Sequence, residues 1–442
     1  MCRERVLHHP FLMERQKMAT SNQNEQMEAY SQAVDSGLYR KQTGLSGTYD
    51  NVRRYWEDEI SREIIRPHLE RLLKRCRSRM DRLRVLDLGC GLGDGLDLLT
   101  GIREREPRLQ RDRVDLLRPE LLGLYRGIDT DEDLLEKARG IYETNCKVSF
   151  AKGDFTEGLP EREQEQPYDL YFGVYGTSSR HTGDDSFVRM ISDIARHGSE
   201  YCIVVCDWLG RYSYEWQGLW TQDPGEKKTI DYAVPWEERT AERNKGRRLT
   251  RRLMDREEAE KLVAEAGRQA GVEITPLVYF DRSIFTGRHM DTGEYNSHLR
   301  PIRRAVNDLH EENCRTDLED LLVDYVPRQG FDSLNRYFEK LQVCWNALVE
   351  HVEHLMGIYA ASERSYARRP DPVSASSPEP LSDMMERMRR VIEGVGWLGI
   401  GMPRENIIEP QLGYALRHLI SNLQEGRGCA HGLVGIYEVD KS

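Results

Sequence analysis

The stretch Arg84-Val85-Leu86-Asp87-Leu88-Gly89-Cys90-Gly91-Leu92-Gly93-Asp94-Gly95 decides the fold of this chain. Its apolar run has strand length, and the alternate glycines that follow free the backbone to turn before a helical pattern begins. A strand, a glycine turn and a helix N-terminus together bring backbone N–H groups to a ligand, and the helix end favours a carboxylate or phosphate. The spacing narrows the choice. A dinucleotide fingerprint needs Gly-x-Gly-x-x-Gly. Counted from Gly89, Gly91 or Gly93, the third glycine falls on Asp94, Leu96 or Leu98, so an NAD or FAD site loses its main support.

Working outward, Leu124-Tyr125-Arg126-Gly127-Ile128-Asp129 reads as a second strand that ends in a carboxylate, a group able to accept two hydrogen bonds from a vicinal diol. The pattern over 131–142 is helical, with Leu134, Leu135, Ala138, Ile141 and Tyr142 on one face. Asp129 stands farther past Gly93 than the roughly 20 residues of a simple strand–helix–strand unit; the excess is the charged stretch 103–120, which reads as a surface insertion. A short apolar run at 148–150 leads to Lys152-Gly153-Asp154-Phe155, where a carboxylate accepts from an amine and a ring packs on a ring. A fourth strand is expected at 168–176, a helix at 184–197, and an all-apolar central strand at 201–207. Asp255, with Glu258 three residues on, caps a helix over 257–270. The runs 272–280 and 283–288 read as two final strands.

In this order the motifs resemble the class I methyltransferases that use S-adenosylmethionine (SAM), over about residues 80–290. The resemblance implies an α/β fold: a Rossmann-like, seven-stranded, mostly parallel sheet with an antiparallel final hairpin, here with an appended α-helical C-terminal region. It implies SAM as cofactor and S-adenosylhomocysteine (SAH) as product. Asp87, Gly89, Gly91 and Gly93 would surround the cofactor, Asp129 would hold its ribose, and Asp154 and Phe155 would lie beside its adenine. Tyr49 and Arg53 belong to a helical segment that either closes over SAM or only packs, with Pro67 expected to kink it. The methyl-transfer site is expected after the fourth and fifth strands. Tyr175, His181 and Tyr212 are the candidate catalytic groups there, with Asp207 and Glu215 beside them. His181 is expected either as a base near neutral pH or as an ordinary loop histidine. Positioning and desolvation supply much of such catalysis, and a base is needed only when the nucleophile must lose a proton.

The chain divides into a disordered N-terminus over 1–30, a helical cap over 31–80, and a SAM-binding domain over 81–290 with an aromatic insert at 208–250. A helical region over 291–364, a Pro/Ser-rich linker over 365–380 and a C-terminal helical segment over 381–442 follow. The C-terminal third resembles no family. Trp208, Trp216, Trp220 and Trp236, with Tyr212, Tyr214 and Tyr232, read as a substrate pocket or as a hinge packed on the C-terminal helices. Charged residues make up 31% of the chain and the net charge is −11, which argues against a nucleic-acid partner. The basic run 239–252 reads as solvated surface. No apolar run approaches the roughly 20 residues of a membrane span, no signal peptide is read, and nine cysteines are scattered without a C-x-x-C pair; a cytoplasmic protein with reduced thiols is expected. His351-x-x-His354 lacks a third ligand, so no metal is expected. The expected activity is methyl transfer to an O or N atom of a small molecule, with a homodimer contact as one use of the helical part. The alternatives are methylation of a protein or peptide, and a SAM- or SAH-binding regulatory protein without turnover.

Overall fold

The computed structural model describes residues 50–104, 114–160, 165–223, 228–233, 248–362, 378–395 and 401–441. Tyr49, Trp236, the N-terminal 1–30 segment, most of the basic run and most of the linker lie outside the described residues.

Strands β1 (Leu83–Leu88), β2 (Leu122–Asp129), β3 (Val148–Lys152), β4 (Leu170–Phe172) and β5 (Tyr201–Gly210) form a parallel sheet in the order β3-β2-β1-β4-β5. Strands β6 (Thr229–Ala233) and β7 (Arg248–Met254) pair antiparallel, and β7 joins the far end of β5 at Leu209 and Gly210. Along the rest of β5 the neighbour is β9 (Gly432–Asp440), antiparallel from Tyr201↔Asp440 to Leu209↔Gly432. Strand β8 (Ile274–Arg282) then pairs antiparallel with β9. The core order is therefore β3-β2-β1-β4-β5-β9-β8, a Rossmann-like sheet whose single reversed strand sits next to last.

The antiparallel end of the sheet differs from the expected hairpin. Residues 283–288 are not a strand: Ser283 takes a positive φ of 66° and turns the chain out of the sheet. The partner of β8 is the C-terminal β9, after the whole of 283–431 has intervened. The helical part is thus an insertion between the last two strands rather than an appendage, and the chain's last strand lies inside the sheet.

Period-two alternation sends β1, β4 and β5 side chains to both faces. Val85, Phe172, Ile203 and Val205 meet helices α1 (Asp58–Ser78), α2 (Asp94–Thr100) and α3 (Glu132–Ile141) on one face. Leu86, Tyr171, Val204 and Trp208 meet α4 (Asp184–His197) and α5 (Arg256–Ala270) on the other. Pro67 lies inside α1, which runs through it without ending. Helices α6 (Ile302–Asp308), α7 (Asp332–Ser362), α8 (Glu379–Gly394) and α9 (Glu409–Leu423) share a separate core with Val52, Trp56, Tyr214, Trp220 and Phe285. Trp56 and Phe285 both lie against Trp345 of α7, at ring-centroid distances of 5.9 and 5.8 Å. Among the described residues no helix is long and apolar enough to cross a membrane.

The aromatic stretch after β5 is mostly packing. Trp208, Trp216 and Trp220 are buried; Trp220 stacks on Phe338 of α7, its Nε1 donating to the Ser213 carbonyl. Tyr214 donates to the Asp324 carbonyl. Of the expected pocket aromatics in the described residues, Tyr232 alone lines the cleft described next.

Candidate functional site

A cleft with about 1490 Å³ of empty space, its open mouth included, runs along the carboxyl ends of β1, β2, β4 and β5. Open parallel sheets place their ligand crevice there, where strand order reverses around β1.

The end nearest β1 is built from the glycine turn. Gly89, Gly91 and Gly93 all take left-handed φ values of 71°, 51° and 90°, and Gly93 caps α2. Gly89 and Cys90 donate to the Ile128 carbonyl, which ties the turn to β2. A Cβ on Gly91 would meet nothing within 4 Å, so this residue leaves an open cradle at the cleft floor. Asp129 ends β2: its Oδ1 accepts from the amides of Thr130 (2.7 Å) and Asp131 (3.1 Å), and its Oδ2 from Gly91 (3.0 Å). A carboxylate offers about four lone-pair sites, so Oδ2 keeps one for a ligand hydroxyl. Asp87 lies beneath the turn and accepts from the Tyr125 hydroxyl. Burial, with the charges of Asp129 and Asp94 nearby, pushes its carboxyl up to about 8, so it is protonated at neutral pH. The roof is Arg53, whose guanidinium stacks 3.5 Å from the Tyr175 ring centre and bonds Asp58 at 3.0 Å. Burial works against its charge, but Tyr175, Asp58 and Asp94 more than restore it.

Of the residues read as cofactor contacts, Asp87, Gly89, Gly91, Asp129 and Arg53 line this cleft. Gly93 stands one step behind as the helix cap. Asp154 and Phe155 are not brought to the cleft wall. Asp154 caps a short 3-10 turn, its Oδ1 accepting from the Thr156 amide and hydroxyl. Phe155 is buried behind the glycine turn, with Arg180 5.3 Å above its ring. Thr130, Asp131, Leu134 and Arg180 form the wall at that position instead.

The other end of the cleft begins at Tyr175, a non-glycine residue with a φ of 61°. Such a conformation persists only where its surroundings fix it. Here the Tyr175 amide donates to Asp207 Oδ2 (2.7 Å) and its hydroxyl to Asp58 (3.0 Å). Asp207 is fully buried, which raises its carboxyl, and it pairs with Arg282 Nη2 at 2.7 Å. Tyr232, Arg251, Arg288 and His431 complete this end. Arg288 lies 3.6 Å from Glu57, whose other oxygen pairs with Arg303 at 2.9 Å. Burial alone would raise the Glu57 carboxyl, but Arg303, Arg288, Arg282 and Arg53 hold it well below the usual range.

Two residues read as catalytic lie elsewhere. His181 is 1% exposed in the layer below, its Nδ1 2.6 Å from the Ser186 hydroxyl and its ring beside Phe155 and Phe187. Burial, helped by Arg180, pulls its titration down to about 3, so it stays neutral and does not face the cleft. Tyr212 packs edge-on against Trp220 on the side of the helical core. Tyr175 is at the cleft, with burial raising its hydroxyl well above the ordinary tyrosine range. The sequence reading did not single out Glu57, Arg251, Arg282, Arg288 or His431. They come from four separate stretches of chain and share no spacing; only the fold gathers them.

No protein-family model and no curated protein matches the chain. Among solved structures it resembles a SAM-dependent methyltransferase from Clostridium acetobutylicum (15% identity, 52% of this chain and 86% of that one, TM-score 0.32). It also resembles the CcbJ methyltransferase of Streptomyces caelestis (15% identity, 45% and 74%, TM-score 0.30). A third is an amino pentose methyltransferase of Micromonospora echinaspora solved with SAM bound (15% identity, 51% and 86%, TM-score 0.28). About half of this chain has no counterpart in these structures.

Proposed function

We propose that this protein is a SAM-dependent methyltransferase that acts on an O or N atom of a small molecule. The observation that carries the proposal is one continuous cleft. At one end stands a left-handed glycine turn facing an Asp129 that retains a free acceptor site, and at the other a wall of Tyr175, Tyr232, Arg282 and His431. Asp129 and Arg53 fit the ribose and the carboxylate of the cofactor by charge and hydrogen-bonding type, and Gly91 leaves room for its close approach. SAM when bound supplies an electrophilic methyl group on a sulfonium. The chain's own task is to hold the acceptor in line, exclude water and, where needed, take a proton. A cleft of this size, roofed by Arg53 and closed at one end by Tyr175, Tyr232, Arg288 and His431, suits a molecule of metabolite size.

Calorimetric titration with SAH tests this directly. Micromolar binding is expected in the wild-type protein. Asp129→Ala is expected to weaken it by about 2 kcal/mol through loss of a charge-assisted bond. A folded wild-type protein that ignores SAH, or an Asp129→Ala variant that binds it equally well, would sink the proposal.

A further inference from the structure

His431 is the last residue before β9, where the chain re-enters the sheet from the helical insertion. Its backbone is fixed on both sides: the Gly210 amide donates to its carbonyl (3.2 Å), and its own amide donates to the Ser283 carbonyl (3.4 Å). Its imidazole is 11% exposed at the cleft wall, and Nδ1 lies 3.1 and 3.2 Å from the two oxygens of Glu215. Glu215 is completely buried and also accepts from the His289 amide (2.8 Å) and the Ser213 hydroxyl (3.1 Å). Burial works to raise this carboxyl, but His431 and His289 hold it below its ordinary range, so it is ionised. An ionised carboxylate on Nδ1 selects the tautomer with hydrogen there, which leaves Nε2 as an acceptor. The neighbouring His289 is buried, and its titration falls to about 3. The other groups around the imidazole are Trp216 and Tyr232, at ring distances of 5.7 and 6.1 Å, and, along the same wall, Asp207, Arg251, Arg282 and Arg288.

We propose that His431 is the proton acceptor of this cleft, that Glu215 is its positioning residue, and that the methyl acceptor is a hydroxyl compound of phenol type. The inference rests on the methyltransferase reading and deepens it. A tertiary amine or a thioether has no proton to give up, whereas a hydroxyl does. The acceptor hydroxyl passes its proton to His431 Nε2 as its oxygen bonds the methyl carbon, and the pair from the broken carbon–sulfur bond stays on sulfur. The imidazolium then returns the proton to solvent. Arg251 lines the wall with the Arg282–Asp207 and Arg288–Glu57 pairs, cations that favour the oxyanion form, and Tyr232 stands beside them.

The probe is para-nitrophenol, whose ionised form is yellow, added to the SAH-saturated protein. Wild-type protein is expected to show the phenolate band at a pH where the free probe is mostly neutral. His431→Gln is expected to lose the band with SAH affinity retained. Glu215→Gln is expected to weaken the band and to redistribute the hydrogen between Nδ1 and Nε2 of His431 in nitrogen-labelled histidine NMR, a change that a purely structural role would not produce. An equal band in His431→Gln, or no ionisation in the wild-type protein, overturns the assignment. Nitrogen-labelled histidine NMR on wild-type protein decides it without any variant: hydrogen on Nδ1 of His431 supports the assignment, and hydrogen on Nε2 overturns it. Failure of SAH to bind would instead count against the methyltransferase reading.

Discussion

At the residue scale, the least accessible charges set the site. Asp87 shows how burial changes a side chain's chemistry. It is fully enclosed beneath the glycine turn, and its carboxyl is pushed up to about 8, against roughly 4 in an unfolded chain. Between those values the folded state holds a proton that the unfolded state releases, so the stability this group contributes is present below about pH 4 and is lost as pH rises to about 8. Asp87→Asn, which keeps an acceptor for Tyr125, is expected to flatten that slope. Urea midpoints at about pH 5 and pH 8 check it, and parallel pH dependence in both proteins would refute it. His181 teaches the converse. A histidine between a predicted strand and helix looks like a base, but its neighbours Phe155, Phe187 and Met190 make it a core residue. Sequence spacing does not distinguish the two faces of a strand end.

At the scale of elements, the return of the chain into the sheet is held by one carboxylate. Asp281, at the end of β8, accepts from the amides of Gly428 and Cys429 through Oδ1 and of Arg427 through Oδ2, each at 2.8 Å. These bonds shape the turn that delivers His431 to the cleft. Asp281→Ala would leave three amides without their acceptor, two of them buried, and is expected to cost about 3 kcal/mol or more of stability. Denaturant unfolding checks this, and a loss below about 1 kcal/mol would show that solvent replaces the carboxylate. The β1 turn, β2 with its terminal Asp129, the buried β5 and the capped α5 were all legible, because their signals are local: glycine placement, apolar runs and an Asp cap with Glu three residues on. The final antiparallel pair was not. Residues 283–288 and 432–440 are both strand-like, and local pattern does not say which of two such runs a distant strand will take as partner.

At the scale of the whole molecule, the helical insertion and the segment that precedes α1 are bound through a buried ionic network. Arg303 of α6 pairs with Asp50 (2.8 Å) and Glu57 (2.9 Å), and Glu57 faces Arg288 across the cleft's edge. The sequence reading places 365–442 outside the SAM-binding domain of 81–290. With β9 between β5 and β8, its deletion removes a strand paired along nearly all of β5 and exposes Ile203, Val205 and their neighbours. The truncated chain is expected to lose cooperative unfolding as well as SAH binding, read by circular dichroism and calorimetry; a truncated protein that melts cooperatively and binds SAH would contradict the topology. By itself, the sequence located most of the parallel strands, the glycine turn and the acid that ends β2, since each depends on contacts within one strand–turn–helix unit. Only the tertiary structure decided that the last strand comes from the C-terminus, that the tryptophans after β5 are mostly packing, and that Glu57, Glu215, Arg282 and His431 converge. Those outcomes depend on pairings across more than 70 residues of chain, and burial rather than local pattern selects among them.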